Sequence, residues 1–309
     1  MTLYSPGAAA ATETRIDHVV LTRFNLPTPG PESLVRAQDG WLRNRAALFE
    51  RYTVPAMLAQ TVCDFTWLVY LDPASPPWLL DRMRPLVDEG VFTPVFRETA
   101  DWHDVVADAR TVTGATGGLF VTTNLDNDDA VARDFIARIQ AASRRHVGSA
   151  IYLSTGLIVE GGRLYRRADP ENAFCSVSES WHEPRTAWRD WHNRLHTHFP
   201  VVSIGGPPAW LQVVHGQNVS NRVRGTLDDP LDHRRAFPNL LDDASSPSRS
   251  ARAADRLVRR PLREVRDVLR IAAKTVLLRL AGKDGLDRTK SLIRRLRLGG
   301  RPQAGATSR

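Results

Sequence analysis

The stretch FVTTNLDNDD, residues Phe120 to Asp129, decides how the rest of the chain is read. Phe120 and Val121 continue an apolar strand, after which Asp126, Asp128 and Asp129 crowd three carboxylates into four positions. Ionised carboxylates so close together repel one another and are costly to bury, so they need open water or a divalent cation. Mg²⁺ or Mn²⁺ takes hard oxygen ligands, commonly one or two carboxylates together with the phosphates of a substrate. Asp126 and Asp128 form a pair of that kind and are read as metal ligands ahead of a merely solvated acidic loop. Asp129 is expected to cap a helix running from Ala130 to Ser143.

Upstream, strands alternate with helices. Ile16 to Phe24 (IDHVVLTRF) and Phe65 to Leu71 (FTWLVYL) are apolar, β-branched runs of the sort that form buried strands. Trp41 to Gln60 has apolar residues at helical spacing, with Pro55 expected to kink or break the helix. A helix around Trp78 to Asp88, a strand from Val91 to Phe96 and a helix to Thr113 complete the series. Such alternation predicts a mostly parallel sheet flanked by helices. In sheets of that kind ligands bind at the carboxyl ends of the strands, where Arg23, Asp72 and Asp126 fall. No G-x-G-x-x-G or G-x-x-x-x-G-K-[ST] loop is present, which disfavours nicotinamide and P-loop nucleotide chemistry.

The second half reads differently. Short strands are expected at Ala150–Leu153, Leu157–Glu160 and Arg163–Arg167, the last two joined by a Gly161-Gly162 hairpin turn. Glu179 follows another short strand. Trp181 to His198 then concentrates Trp181, Trp188, Trp191 and four histidines, which suits either an acceptor pocket or a helix with a Trp-lined core face. His215 closes the strand Ala209–Val214.

The net charge of +8 is unevenly placed. Leu241 to Arg309 holds 18 Lys+Arg against 7 Asp+Glu, a net of +11, so the rest holds 24 against 27, a net of −3. The basic balance therefore belongs to a tail, beyond a Ser/Pro-rich linker, whose segments Pro261–Gly282 and Asp287–Leu298 read as amphipathic helices. An anionic membrane surface is the partner preferred for it, over RNA or docking on the body. The two cysteines match no metal spacing and suit a reducing compartment, the cytoplasm by default. Residues 1–15 read as a flexible leader without signal-peptide character.

Taken together, LTRFN (Leu21–Asn25), LFERYTVPAMLAQ (Leu48–Gln60), FTWLVYLD (Phe65–Asp72), NLDNDD (Asn124–Asp129), NAFCSVSE (Asn172–Glu179) and WLQVVHGQN (Trp210–Asn218) resemble the GT-A nucleotide-sugar glycosyltransferases, and more narrowly the rhamnosyltransferase-like family among them. The resemblance covers residues 16–240, with 16–129 as a nucleotide-binding half and 130–240 as an acceptor half, and leaves 241–309 as linker and tail. It implies a GT-A-like α/β fold and transfer of a sugar, rhamnose or a related hexose, from a nucleotide-sugar donor to a glycan or lipid-linked acceptor. It further implies that Asp72 contacts the nucleobase, that Arg23 meets the base or diphosphate, and that Asp126, Asp128 and His215 hold Mn²⁺ or Mg²⁺. Glu179 is the candidate general base, although a surface glutamate fits it as well. Two rivals stand beside this reading: a metal-dependent phosphodiesterase or hydrolase using the same acids, and a non-catalytic scaffold that binds membrane or RNA through its tail.

Overall fold

β1 (Ile16–Arg23) is buried along its whole length except for Arg23, as expected of a strand covered on both faces. The computed structural model describes residues 15–27, 40–115, 118–215, 223–263 and 265–266. After β1 come α1 (Trp41–Leu48), a π-helical turn (Phe49–Thr53) and α2 (Val54–Leu58). Then follow β2 (Thr66–Leu71), α3 (Pro77–Asp88), β3 (Thr93–Phe96), α4 (Trp102–Thr113) and β4 (Leu119–Asn124). Pro55 falls within a stretch helical from Trp41 to Leu58, directly after a π turn, the local rearrangement of the bonding ladder that accommodates a residue without an N–H. At α4, Asp101 accepts from His103 N and Asp104 N while Asp104 accepts from Asp101 N, so a capping box fixes the start.

The second half supplies β5 (Ala130–Val131), α5 (Phe135–Ser143), β6 (Ser149–Leu153), β7 (Thr155–Glu160), β8 (Arg163–Ala168) and β9 (Ser176–Ser180). A 3₁₀ turn (His192–Thr197), β10 (Val201–Ile204), β11 (Trp210–Val214) and β12 (Thr226–Asp228) complete this part. Two sheets result, in the orders β10-β6-β9-β4-β1-β2-β3 and β12-β8-β7-β11-β5. In the first, β4, β1, β2 and β3 run parallel to one another, as do β10 and β6. β9 lies antiparallel between β4 and β6. The expected halves 16–129 and 130–240 therefore share one sheet.

Alternation along the strands fills both faces of that sheet. Leu21, Leu68, Tyr70 and Phe120 pack with Val105 and Ala109 of α4 and with Trp188. Trp67 packs instead on Phe49 of the π turn and on Phe92, with ring centroids 5.4 and 5.6 Å away. Aromatic pairs at such distances add to the burial of their area. In the second sheet, a Cβ on Gly156 would lie 1.9 Å from Trp210 Cδ2, so only glycine lets that indole cross β7.

Two expectations are corrected. The helix expected over Ala130–Ser143 begins only at Phe135, because Ala130 and Val131 pair with β11 instead. Asp129 consequently caps no helix. β10 and β12 are additional strands, each four residues or fewer.

Contacts divide the chain into two units, Met1–Ser248 and Arg249–Arg309. The second begins with α6 (Arg249–Ala254) and a π turn (Asp255–Arg259), across which Arg263 Nη1 donates to the buried Asp255 at 2.7 Å. The leader, Gln217, Asn218 and most of the expected tail helices lie outside the described residues.

Candidate active site

β1, β2 and β4 end side by side, and their carboxyl ends gather most of the residues singled out in the sequence. Arg23 closes β1, Asp72 follows β2, and the acid loop follows β4. With β1 between them, the ends of β2 and β4 lie roughly 10 Å apart by strand spacing. Two asparagines tie these ends together. Asn25 accepts from Asp72 N at 3.0 Å and donates to Ser75 Oγ at 3.0 Å. Asn127 Nδ2 donates to the Arg23 and Phe24 carbonyls at 2.9 and 2.6 Å. Buried amides satisfied in this way fix a loop rather than merely decorate it.

The three acids have separate environments. Asp126 reaches solvent and accepts from Asn124 Nδ2 at 3.3 Å. The protein packed around it raises its pKa, and the charge of Asp128 raises it further. Asp128 is 6% exposed, and its Oδ2 receives Arg45 Nη1 at 2.5 Å and His215 Nε2 at 2.9 Å. Asp129 is fully buried; Oδ1 accepts from Val213 N at 2.8 Å, and its backbone carbonyl accepts from Thr53 Oγ1 at 2.8 Å. Burial, then Asp128 and Asp126, hold the Asp129 carboxyl well above the usual carboxylate range. Its Oδ2 is buried with no hydrogen-bond partner. By gripping Val213, Asp129 seats the end of β11 two residues before His215.

Asp128 and His215 thus meet as expected, while Asp126, Asp128 and His215 do not gather into one set of three ligands. Arg45 shares Asp128 Oδ2 with His215. Among the described residues no group of three His, Cys, Asp or Glu side chains stands close enough to hold a metal ion.

Asp72 Oδ1 accepts from Ala74 N at 2.8 Å, which shapes the loop and fixes the direction of the carboxylate. Arg23 lies over Trp188, with Cζ 4.1 Å from the ring centroid, and Trp188 Nε1 donates to Asn124 Oδ1 at 2.8 Å. The aromatic stretch therefore crosses the sheet. Trp181 stacks on Phe120 at 3.9 Å and donates to Asp17 near the amino edge, and Trp188 reaches the carboxyl edge. These two serve the core. Trp191, 67% exposed, faces solvent, and the adjacent His192 lies near enough to Asp126 to favour its ionised form.

Glu179 is not brought to this site. It lies within β9 opposite Phe120, at the amino edge of β4, about 13 Å of strand before Asn124. Its carboxylate accepts from Arg185 N and Thr186 N at 2.9–3.1 Å. Burial raises its pKa, and those backbone donors oppose the rise. A carboxylate so placed holds the 181–187 loop at the edge of the sheet away from the acids. Arg45 and Asn127 are the residues at this edge that sequence reasoning passed over, while Trp188 was read only as part of an acceptor pocket or a core face. Arg45 had no visible signal, being one of several arginines on a helix.

The crystal structure of S. aureus TarS 1-349 in complex with UDP-GlcNAc matches with a TM-score of 0.41 and 11% identity, over 67% of this chain and 62% of that one. TarS 1-349 in complex with UDP matches with a TM-score of 0.38 and 12% identity, over 64% and 60%. Mannose-1-phosphate geranyltransferase from Thermus thermophilus matches with a TM-score of 0.24 and 11% identity, over 65% and 74%. The chain thus spans less than two thirds of the TarS fragment. No curated protein matches it. The family model described as "Putative rhamnosyl transferase" matches residues 17–227, which is 211 of the 309 residues. On that match, the chain belongs to the rhamnosyl transferase family of glycosyltransferases.

Proposed function

We propose that the chain transfers a sugar from a nucleotide-sugar donor to a hydroxyl of a glycan or lipid-linked acceptor, with the donor lying across the carboxyl ends of β1, β2 and β4. The observation that carries this reading is the convergence of Arg23, Asp72, Asp126, Asp128 and His215 on that one edge in a member of this family. Asp72, held by its loop, faces the N–H edge of the nucleobase. Arg23, over the Trp188 ring, is a cation for the base or diphosphate. In the reaction the acceptor oxygen bonds to the anomeric carbon and the bond from that carbon to the phosphate oxygen breaks. The acceptor proton leaves to a base, and the nucleoside diphosphate departs carrying the bond's electron pair. Positive charge fixed beside the diphosphate favours that departure more than it favours ground-state binding. Glu179 takes no part in the proton transfer.

Titration of the full chain with UDP-, TDP- and GDP-sugars by calorimetry tests the proposal. One donor class is expected to bind saturably, more weakly to Asp72→Ala and Asp126→Ala and equally well to Glu179→Gln. Cleavage of simple phosphodiesters without binding of any nucleotide-sugar would instead establish the hydrolase alternative.

A further inference from the structure

We infer that His192 is the base that takes the acceptor's proton, through the Nε2 atom of a ring that a backbone carbonyl holds in the required tautomer. The inference rests on the donor reading above and names the proton acceptor that the reaction needs at the edge where the acids lie.

His192 opens the 3₁₀ turn His192–Thr197 and is half-buried. Its Nδ1 lies 2.7 Å from the Glu171 carbonyl oxygen. A carbonyl oxygen can only accept, so Nδ1 carries the hydrogen and, in the neutral ring, Nε2 carries the lone pair. The Tyr152 hydroxyl donates to the His192 carbonyl and steadies the backbone that bears the ring. Nε2 makes no hydrogen bond among the described residues and is not sealed in the core, so a hydroxyl arriving from solvent can reach it.

The hydrogen bonds around Glu171 place this ring. β9 runs antiparallel to β4 with Ser176 opposite Thr123, so the segment leading into β9, which contains Glu171 and Ala173, lies at the carboxyl edge of β4. Asn124 Nδ2 donates both to the Ala173 carbonyl at 2.9 Å and to Asp126 Oδ1 at 3.3 Å, which ties that segment to the acid loop. A positive charge on His192 favours the ionised form of Asp126, and the Asp126 carboxylate in turn stabilises the imidazolium that forms when Nε2 gains a proton. Other basic groups here are committed: Asp128 Oδ2 receives Arg45 and His215, and Asp129 is buried. Trp191, 67% exposed, sets a flat apolar face next to His192 in the chain, against which an acceptor can lie.

In the step itself the acceptor oxygen bonds to the anomeric carbon while its proton passes to Nε2 and the O–H electron pair stays on oxygen. The bond from the anomeric carbon to the phosphate oxygen breaks, and its pair leaves with the nucleoside diphosphate. Solvent then takes the proton from the imidazolium.

The test uses the full-length chain with UDP-, TDP- and GDP-sugars. Donor binding is measured by calorimetry, and release of the nucleoside diphosphate is measured in water alone and with octyl glycosides as acceptors. His192→Asn keeps an amide N–H for the Glu171 carbonyl but supplies no base. It is expected to bind the preferred donor within about twofold of wild type and to release the diphosphate at least about 100-fold more slowly. His192→Ala is expected to show the same loss and to regain at least about tenfold in rate when imidazole is added, whereas His192→Asn regains nothing. Release by His192→Asn within about threefold of wild type overturns the inference. A loss that imidazole does not restore in His192→Ala also overturns it, because the residue would then only support its turn. Loss of donor binding in His192→Asn overturns it too and makes His192 a donor contact. A wild-type chain that binds a donor but releases no diphosphate to any of these acceptors overturns the inference and leaves the donor reading standing. Binding of no nucleotide-sugar by the wild type overturns the donor reading and, with it, this inference.

Discussion

Asp126, Asp128 and Asp129 are chemically alike and nearly consecutive, yet one meets water, one is paired with cationic and imidazole partners, and one is sealed in the core. The sealed one has a measurable consequence. Because the folded pKa of Asp129 lies above its unfolded value of about 3.9, the native state holds a proton that the unfolded chain gives up first. Its contribution to stability is therefore greatest below that value and shrinks as pH rises toward the folded pKa. Asp129→Asn keeps an oxygen for Val213 N–H and does not titrate. Its stability relative to wild type, read by urea denaturation, is expected to improve as pH rises above about 4 and to level off once the folded pKa is passed. A difference that does not change with pH above about 4 would show that the fold does not raise this pKa. At this scale the sequence exposed those residues whose polarity interrupts an apolar strand: Arg23, Asp72, Asp126, Asp128 and His215. Arg45 stayed hidden because a helix carrying Arg43, Arg45 and Arg51 gives no sign of which one pairs with an acid. Asp129 was misjudged because its side chain serves β11, a partner 84 residues away.

Among elements, periodicity located α1, α3, α4 and β1 to β4 to within a few residues, because long apolar patterns leave little choice. It failed at Ala130–Ala132, where three buried apolar residues suit a helix or a strand equally and pairing with β11 decides. It failed more consequentially at β9. The strand itself was legible but its direction was not, and an antiparallel strand delivers its last residues to the edge opposite the site. That reversal puts Glu179 at the edge away from the acids. The second sheet offers a direct check on packing. Trp210 is fixed by its Nε1 bond to the Leu153 carbonyl at 2.9 Å and by stacking on Phe174 at 5.2 Å. Gly156→Ala is therefore expected to cost about 1–3 kcal/mol in reversible denaturation, since the indole cannot yield to a methyl group. Wild-type stability for that variant would mean that the two strands separate more easily than their packing suggests.

On the scale of the whole molecule, the uneven charge noted in the sequence has a partial counterpart in the second unit. Leu257, Val258, Leu262 and Val265 are exposed there among Arg256, Arg259, Arg260 and Arg263. No helix among the described residues is long and apolar enough to cross a membrane. We propose that this unit rests on anionic lipid, each basic residue near the surface contributing about 1 kcal/mol. The full chain is expected to sediment with phosphatidylserine vesicles at low salt and to be released at high salt, and a chain ending at Ser248 is expected to remain in solution. Equal sedimentation of the two would remove the tail from any role at the membrane. The reversal of β9 has one last effect. Because that strand runs backwards, the chain leaves it at the wrong rim and must span the sheet from Trp181, bonded to Asp17, to Trp188, bonded to Asn124. The span works as a ruler: deleting one residue within it is expected to pull Trp188 from Asn124 and take away the ring beneath Arg23, so a change far along the chain would be felt at the ends of β1 and β4.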